Sequence, residues 1–167
     1  MDWGCPASVP MAPTQLDRAA KTFRPPPADR AHVYIYRNES IGFAVSMDLR
    51  LDGVPVGTTV GRTFTLVPVR PGHHLLVSEA ENTSKLPIYV GGGEKLFVWQ
   101  EVKMGILYAR NKLQVVSPAV GRAGVSECEL IAYPPPPLSP PLPPPPAARP
   151  QTPAPPSVAA PVEVPTS

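Results

Sequence analysis

Cysteine is almost missing from this chain: Cys5 and Cys128 are the two in 167 residues, which permits at most one disulfide and supplies no metal-binding cysteine spacing. Long apolar runs are missing too, since no stretch approaches the roughly 20 residues of a membrane-spanning helix. The opening Met1-Asp2-Trp3-Gly4 has neither the basic nor the apolar region of a signal peptide. Read as written, the chain is soluble, and export requires a signal upstream of Met1. An excess of one charge is likewise lacking. Fifteen basic and 13 acidic side chains leave a formal net charge of +2, scattered singly without the basic stripe that phosphate neutralisation needs, so nucleic acid is not an expected partner.

Catalytic signatures are absent as well. There is no Gly-x-Ser-x-Gly elbow, His-Glu-x-x-His, phosphate loop or dinucleotide fingerprint. Asp48, Asp52, Glu79 and Glu94 are spread over strands and turns rather than paired for acid–base work. His73 and His74 are adjacent, so on a strand their rings point to opposite faces and cannot chelate one ion. The expectation is a protein that is not an enzyme, with no catalytic residue, metal or cofactor.

Proline is what the chain has in quantity, 27 residues concentrated at the two ends. Residues 1–30 read as an N-terminal tether, with Pro6, Pro10, Pro13 and Pro25-Pro26-Pro27 holding their predecessors extended. One short helix fits between them, capped by Thr14 and running to Phe23, with Asp17 at the capping-box position. Residues 132–167 form a tail in which 16 of the 34 residues from Pro134 onward are proline and only Arg149 and Glu163 are charged. That composition predicts a disordered segment with a polyproline II bias, able to span on the order of 100 Å. Tyr133-Pro134-Pro135-Pro136-Pro137 and Pro140-Pro141-Leu142-Pro143 have the form of ligands for proline-reading modules, although a spacer is the plainer reading.

Between the ends, residues 31–131 alternate with period two. His32 to Tyr36 is β-branched and aromatic. Phe43, Val45, Met47, Leu49 and Leu51 point one way while Ser46, Asp48, Arg50 and Asp52 point the other, the clearest strand in the chain. Asp52-Gly53 suits a two-residue hairpin whose central positions need positive φ. Pro55 and Pro87 confine the strands that carry them to sheet edges or bulges. Further strands are expected over Thr63–Val69, His73–Ala80, Leu86–Val90, Leu96–Met104, Leu113–Val116 and Val125–Ile131. About eight short strands joined by Gly and Pro turns predict an all-β antiparallel β-sandwich.

One surface attracts a binding reading. Trp99, Glu101 and Lys103 share a strand face opposite Val98 and Val102, and a ring flanked by charges suits a glycan or small ligand. The structural alternative places Trp99 and Phe97 on the other side of the core.

The stretches Cys5-Pro6-Ala7-Ser8-Val9-Pro10-Met11-Ala12, Tyr34-Ile35-Tyr36-Arg37-Asn38-Glu39-Ser40, Leu51-Asp52-Gly53 with Pro71-Gly72-His73-His74, and above all Trp99-Gln100-Glu101-Val102-Lys103-Met104-Gly105 resemble a family of uncharacterised bacterial lipoproteins with a domain of unknown function, itself similar to PEGA-type β-sandwiches. The likeness spans about residues 5 to 131. It implies an immunoglobulin-like sandwich facing the periplasm, anchored to the membrane by a lipid on Cys5. Its implied partner is an envelope protein or cell-wall component, and no activity is assigned. The chain departs from the lipoprotein pattern at residues 2 to 4, at Pro6 and in the tail after Tyr133.

Overall fold

The computed structural model describes residues 9–40, 45–104 and 109–132. Among the described residues, nine strands and two short helices run in the order α1 (Thr14–Ala20), β1 (Ala31–Arg37), β2 (Met47–Leu51), β3 (Val54–Thr59), β4 (Thr63–Val69), β5 (Gly72–Glu79), β6 (Thr83–Val90), β7 (Lys95–Met104), β8 (Ala109–Val116), α2 (Pro118–Ser126) and β9 (Glu129–Leu130). They build a β-sandwich of a five-stranded sheet, β8-β7-β1-β4-β9, and a four-stranded sheet, β3-β2-β5-β6.

In β2 the alternation of the sequence becomes burial: Met47, Leu49 and Leu51 are buried while Asp48 and Arg50 are exposed. The chain then reverses through Asp52 at φ 52° and Gly53 at φ 81°, the two positive values of a type I′ hairpin, which a glycine adopts at no steric cost. Pro55 in β3 and Pro87 in β6 both stand at sheet edges, where proline is tolerated in a sheet. Beside Pro55 the β2–β3 register shifts between Leu49 and Arg50.

The inner faces bury Val33, Ile35, Leu49, Val67, Leu76 and Val98 in the main core. Across this apolar layer runs one polar connection. Thr59 Oγ1 donates to Gln100 Oε1 at 2.6 Å and Gln100 Nε2 donates to Ser78 Oγ at 2.7 Å, linking β7 of one sheet to β3 and β5 of the other.

The five-stranded sheet is covered on its outer face as well. Tyr34, Tyr36, Phe64 and Phe97 form a second core with Ala20, Val125 and Cys128, closed by α1, α2 and Phe23. Buried from both sides, β1 reads as a nearly continuous apolar run instead of alternating.

The structure corrects several expectations. Val125–Ile131 is not one strand: α2 occupies Pro118–Ser126 and only Glu129–Leu130 is extended. Ser117 caps α2, accepting from Val120 N at 3.4 Å, with Pro118 in the first turn. Gly121 and Gly124 bring this helix onto the sheet; a Cβ there would lie 2.3 Å from the Phe97 ring and 2.1 Å from the Tyr36 ring, respectively. Strands β6 and β8 begin earlier than expected, at Thr83 and Ala109. The five-stranded sheet is mixed, because β1 pairs parallel with β7 and β4 parallel with β9.

At the N-terminus, α1 ends at Ala20, and Pro13 rather than Thr14 occupies its cap without a side-chain bond. Asp17 instead ties the helix to the end of the domain, where its Oδ1 accepts from Leu130 N at 2.9 Å. Residues 9–30 are therefore built into the domain. Met11 bridges Ile131, Ala12 N donates to Leu130 O at 2.9 Å, and Ala132 N donates to Pro10 O at 2.7 Å.

Candidate functional site

Alternation decides which side chains of the five-stranded sheet face outward: His32 and Tyr34 on β1, Leu66 and Pro68 on β4. α1 crosses this face on the β9 side, held by the Asp17–Leu130 bond and by Tyr34 Oη, which donates to Ala20 O at 3.1 Å. Between helix and sheet a cleft of about 810 Å³ stays open. Pro13, Leu16 and Ala19 line it from α1, Leu66 and Pro68 from the sheet, and Leu130, Ile131 and Ala132 from β9 and the residues that follow it.

Few polar groups interrupt this apolar lining. Burial pushes the Tyr34 phenol up to about 12, so it stays protonated and keeps its bond to Ala20. His32 is lowered from its ordinary value, first by burial and then by the positive charges of Lys95 and Arg30. Its Nδ1 is buried without a hydrogen-bond partner. At the rim stands the exposed guanidinium of Arg24. Such a cleft can take an apolar surface and offer donors at one end, within the size range of ordinary ligand sites.

The residues singled out in the sequence lie elsewhere. Trp99, Glu101 and Lys103 share the outer face of β7, but Trp99 is half-buried, packs against the second core and holds its Nε1 in a buried position without a partner. Glu101 accepts from Gln114 Nε2 at 2.6 Å and pairs with the exposed Lys103 at 3.6 Å. None of the three lines the cleft. Cys5 lies outside the described residues. Cys128 is buried, its thiol donating to Gly124 O at 3.2 Å and lying 3.4 Å from Arg37 O, and burial pushes its pKa up to about 12.

His73 and His74 do face opposite ways. His73 packs its ring against Tyr89 on the outside, centroids 4.9 Å apart, whereas His74 points inward to Asp52. Nδ1 of His74 lies 2.5 Å from Asp52 Oδ2, and Nε2 lies 2.7 Å from Arg70 O. A carbonyl only accepts, so the bond to Arg70 O is donated by Nε2–H. The side chains are 1% and 6% exposed. This histidine–carboxylate pair is sealed from substrate and braces a turn. Among the described residues no three His, Cys, Asp or Glu side chains come together as a metal site, and no helix is long and apolar enough to cross a membrane.

No family model and no solved structure matches the chain. An uncharacterized protein of Haemophilus influenzae is 31% identical to it over 125 residues, covering 74% of this chain and 74% of that protein. The chain belongs to that protein's family. The cleft itself carries no short motif. Its lining comes from α1 and β9, at opposite ends of the described chain, and the sequence signal that bears on it is the short helix expected from Thr14 to Phe23 within the N-terminal tether.

Proposed function

We propose that this protein is a non-enzymatic binding module of the bacterial cell envelope, tethered through a lipid on Cys5, that receives an apolar peptide segment of another envelope component in the α1 cleft. The open, apolar cleft of about 810 Å³ carries the reading. Two further observations support it. The His74–Asp52 pair, which could suggest acid–base chemistry, has both partners occupied in a sealed position. The lipoprotein-like Cys5–Ala12 stretch runs directly into the wall of the cleft, and seven residues reach at most about 25 Å. A lipid on Cys5 would therefore hold the cleft close to the membrane surface.

The test is the intact mass and membrane fraction of the protein expressed from its native locus, with an apolar fluorescent probe, anilinonaphthalene sulfonate, titrated against the purified chain. Acylation that disappears in Cys5→Ser, and probe binding that disappears in Ala19→Trp, are the expected results. An unmodified chain overturns the tether, and probe binding unaffected by Ala19→Trp overturns the cleft.

A further inference from the structure

The last described residues of the chain line its own cleft. Leu130, Ile131 and Ala132 are among the lining residues, and their positions are fixed by backbone bonds: Ile131 N donates to Phe64 O at 3.0 Å and Ala132 N to Pro10 O at 2.7 Å. Residues 133–167 start from that point. We propose that the proline-rich segment beginning at Tyr133 runs back through the α1 cleft as its resident occupant, so that an outside ligand must displace it. The inference rests on the reading of the cleft as the binding site and adds its regulation.

Chemistry and reach favour this occupant. From Tyr133 to Ala148 there is no charged side chain, so lodging the segment against Pro13, Leu16 and Leu66 desolvates no ion. Proline lacks an N–H, which makes the segment rich in carbonyl acceptors and poor in donors. The cleft offers the converse: the Arg24 guanidinium, a donor, stands exposed among its lining residues. Ten residues of polyproline II extend about 31 Å, three times the roughly 10 Å length of a seven-residue helix such as α1. Direct attachment also raises the local concentration to the millimolar range, so weak contacts suffice. A site affinity of about 1 mM against an effective concentration of about 10 mM would weaken an outside ligand about tenfold.

The experiment compares the full chain with a full-length variant in which Pro134, Pro135, Pro136, Pro137, Pro140, Pro141 and Pro143 are serine. Heteronuclear NMR reads the resonances of Leu16, Ala19, His32 and Leu66, and a titration reads anilinonaphthalene sulfonate affinity. The expected result is a shift change confined to the cleft, independent of protein concentration, with the probe binding about tenfold more tightly to the variant. Unchanged resonances with equal probe affinity overturn the tail and leave the binding site standing. Unchanged resonances with no probe binding to either form overturn both. A shift difference that grows with protein concentration assigns the occupant to a second copy and overturns the intramolecular contact.

Discussion

Asp52 and His74, 22 positions apart, meet side chain to side chain beneath the β2–β3 hairpin, with Nδ1 of the histidine 2.5 Å from Oδ2 of the carboxylate. The same carboxylate accepts from Leu75 N at 2.8 Å through its other oxygen, while its backbone N–H donates to Leu75 O at 2.9 Å. The residue that makes one turn therefore fixes the position of β5. Removing either member of a buried pair strands the other, at a cost of about 3–5 kcal/mol. Asp52→Ala and His74→Ala should each lower stability by roughly that amount in urea unfolding. His73→Ala, which loses a surface ring contact, should change it by less than about 1 kcal/mol. Equal effects of the two histidines would remove the brace.

Gly121 and Gly124 set how closely α2 lies on the sheet. Alanine improves helix propensity by about 1 kcal/mol, but at these positions its Cβ enters the Phe97 and Tyr36 rings at 2.3 and 2.1 Å. Overpacking of this kind costs typically about 1–3 kcal/mol. Gly124→Ala is expected to be net destabilising by denaturant titration, and a gain in stability would contradict the packing of α2.

Acid should weaken the fold through His32. Burial and neighbouring positive charge lower its folded value below the ordinary 6.5, so the unfolded chain takes up this proton first. Its contribution is intact above about pH 6.5 and is lost as pH falls through the lower folded value. Stability measured between pH 8 and 5 should fall less steeply in His32→Gln than in the parent. Parallel curves would exclude His32 as a source of the slope.

Cys128 should be silent to thiol reagents while the protein is folded. Its thiol is buried, donates to Gly124 O and is pushed up to about 12, and the thiolate is the reactive form. In Cys5→Ser at pH 8, Ellman's reagent is expected to find no accessible thiol until denaturant is added, when one appears. Immediate reaction would show that the second core is open.

The parts of the fold that period and turn chemistry control were legible in the sequence. Met47, Leu49 and Leu51 face inward because a strand alternates, Asp52-Gly53 turns because both residues accept positive φ, and Pro55 and Pro87 are tolerated at edges. A period of two says nothing about strand direction, so the parallel β1–β7 and β4–β9 pairings were hidden. The glycines of α2 look like breakers in sequence but serve close approach to two rings; Ser117-Pro118 was the signal that a helix begins there. The cleft left no local trace, since its walls join only when Asp17 reaches Leu130, 113 residues away.

Met11 and Ile131 face each other across an antiparallel bridge, so the described domain takes in its chain and lets it out about 5 Å apart. A unit with entry and exit side by side can be spliced into a surface loop of a host protein without prying that loop open. The β-sandwich is thus a portable insert, and a fusion that joins its two ends to adjacent strands of an unrelated scaffold should leave both partners folded.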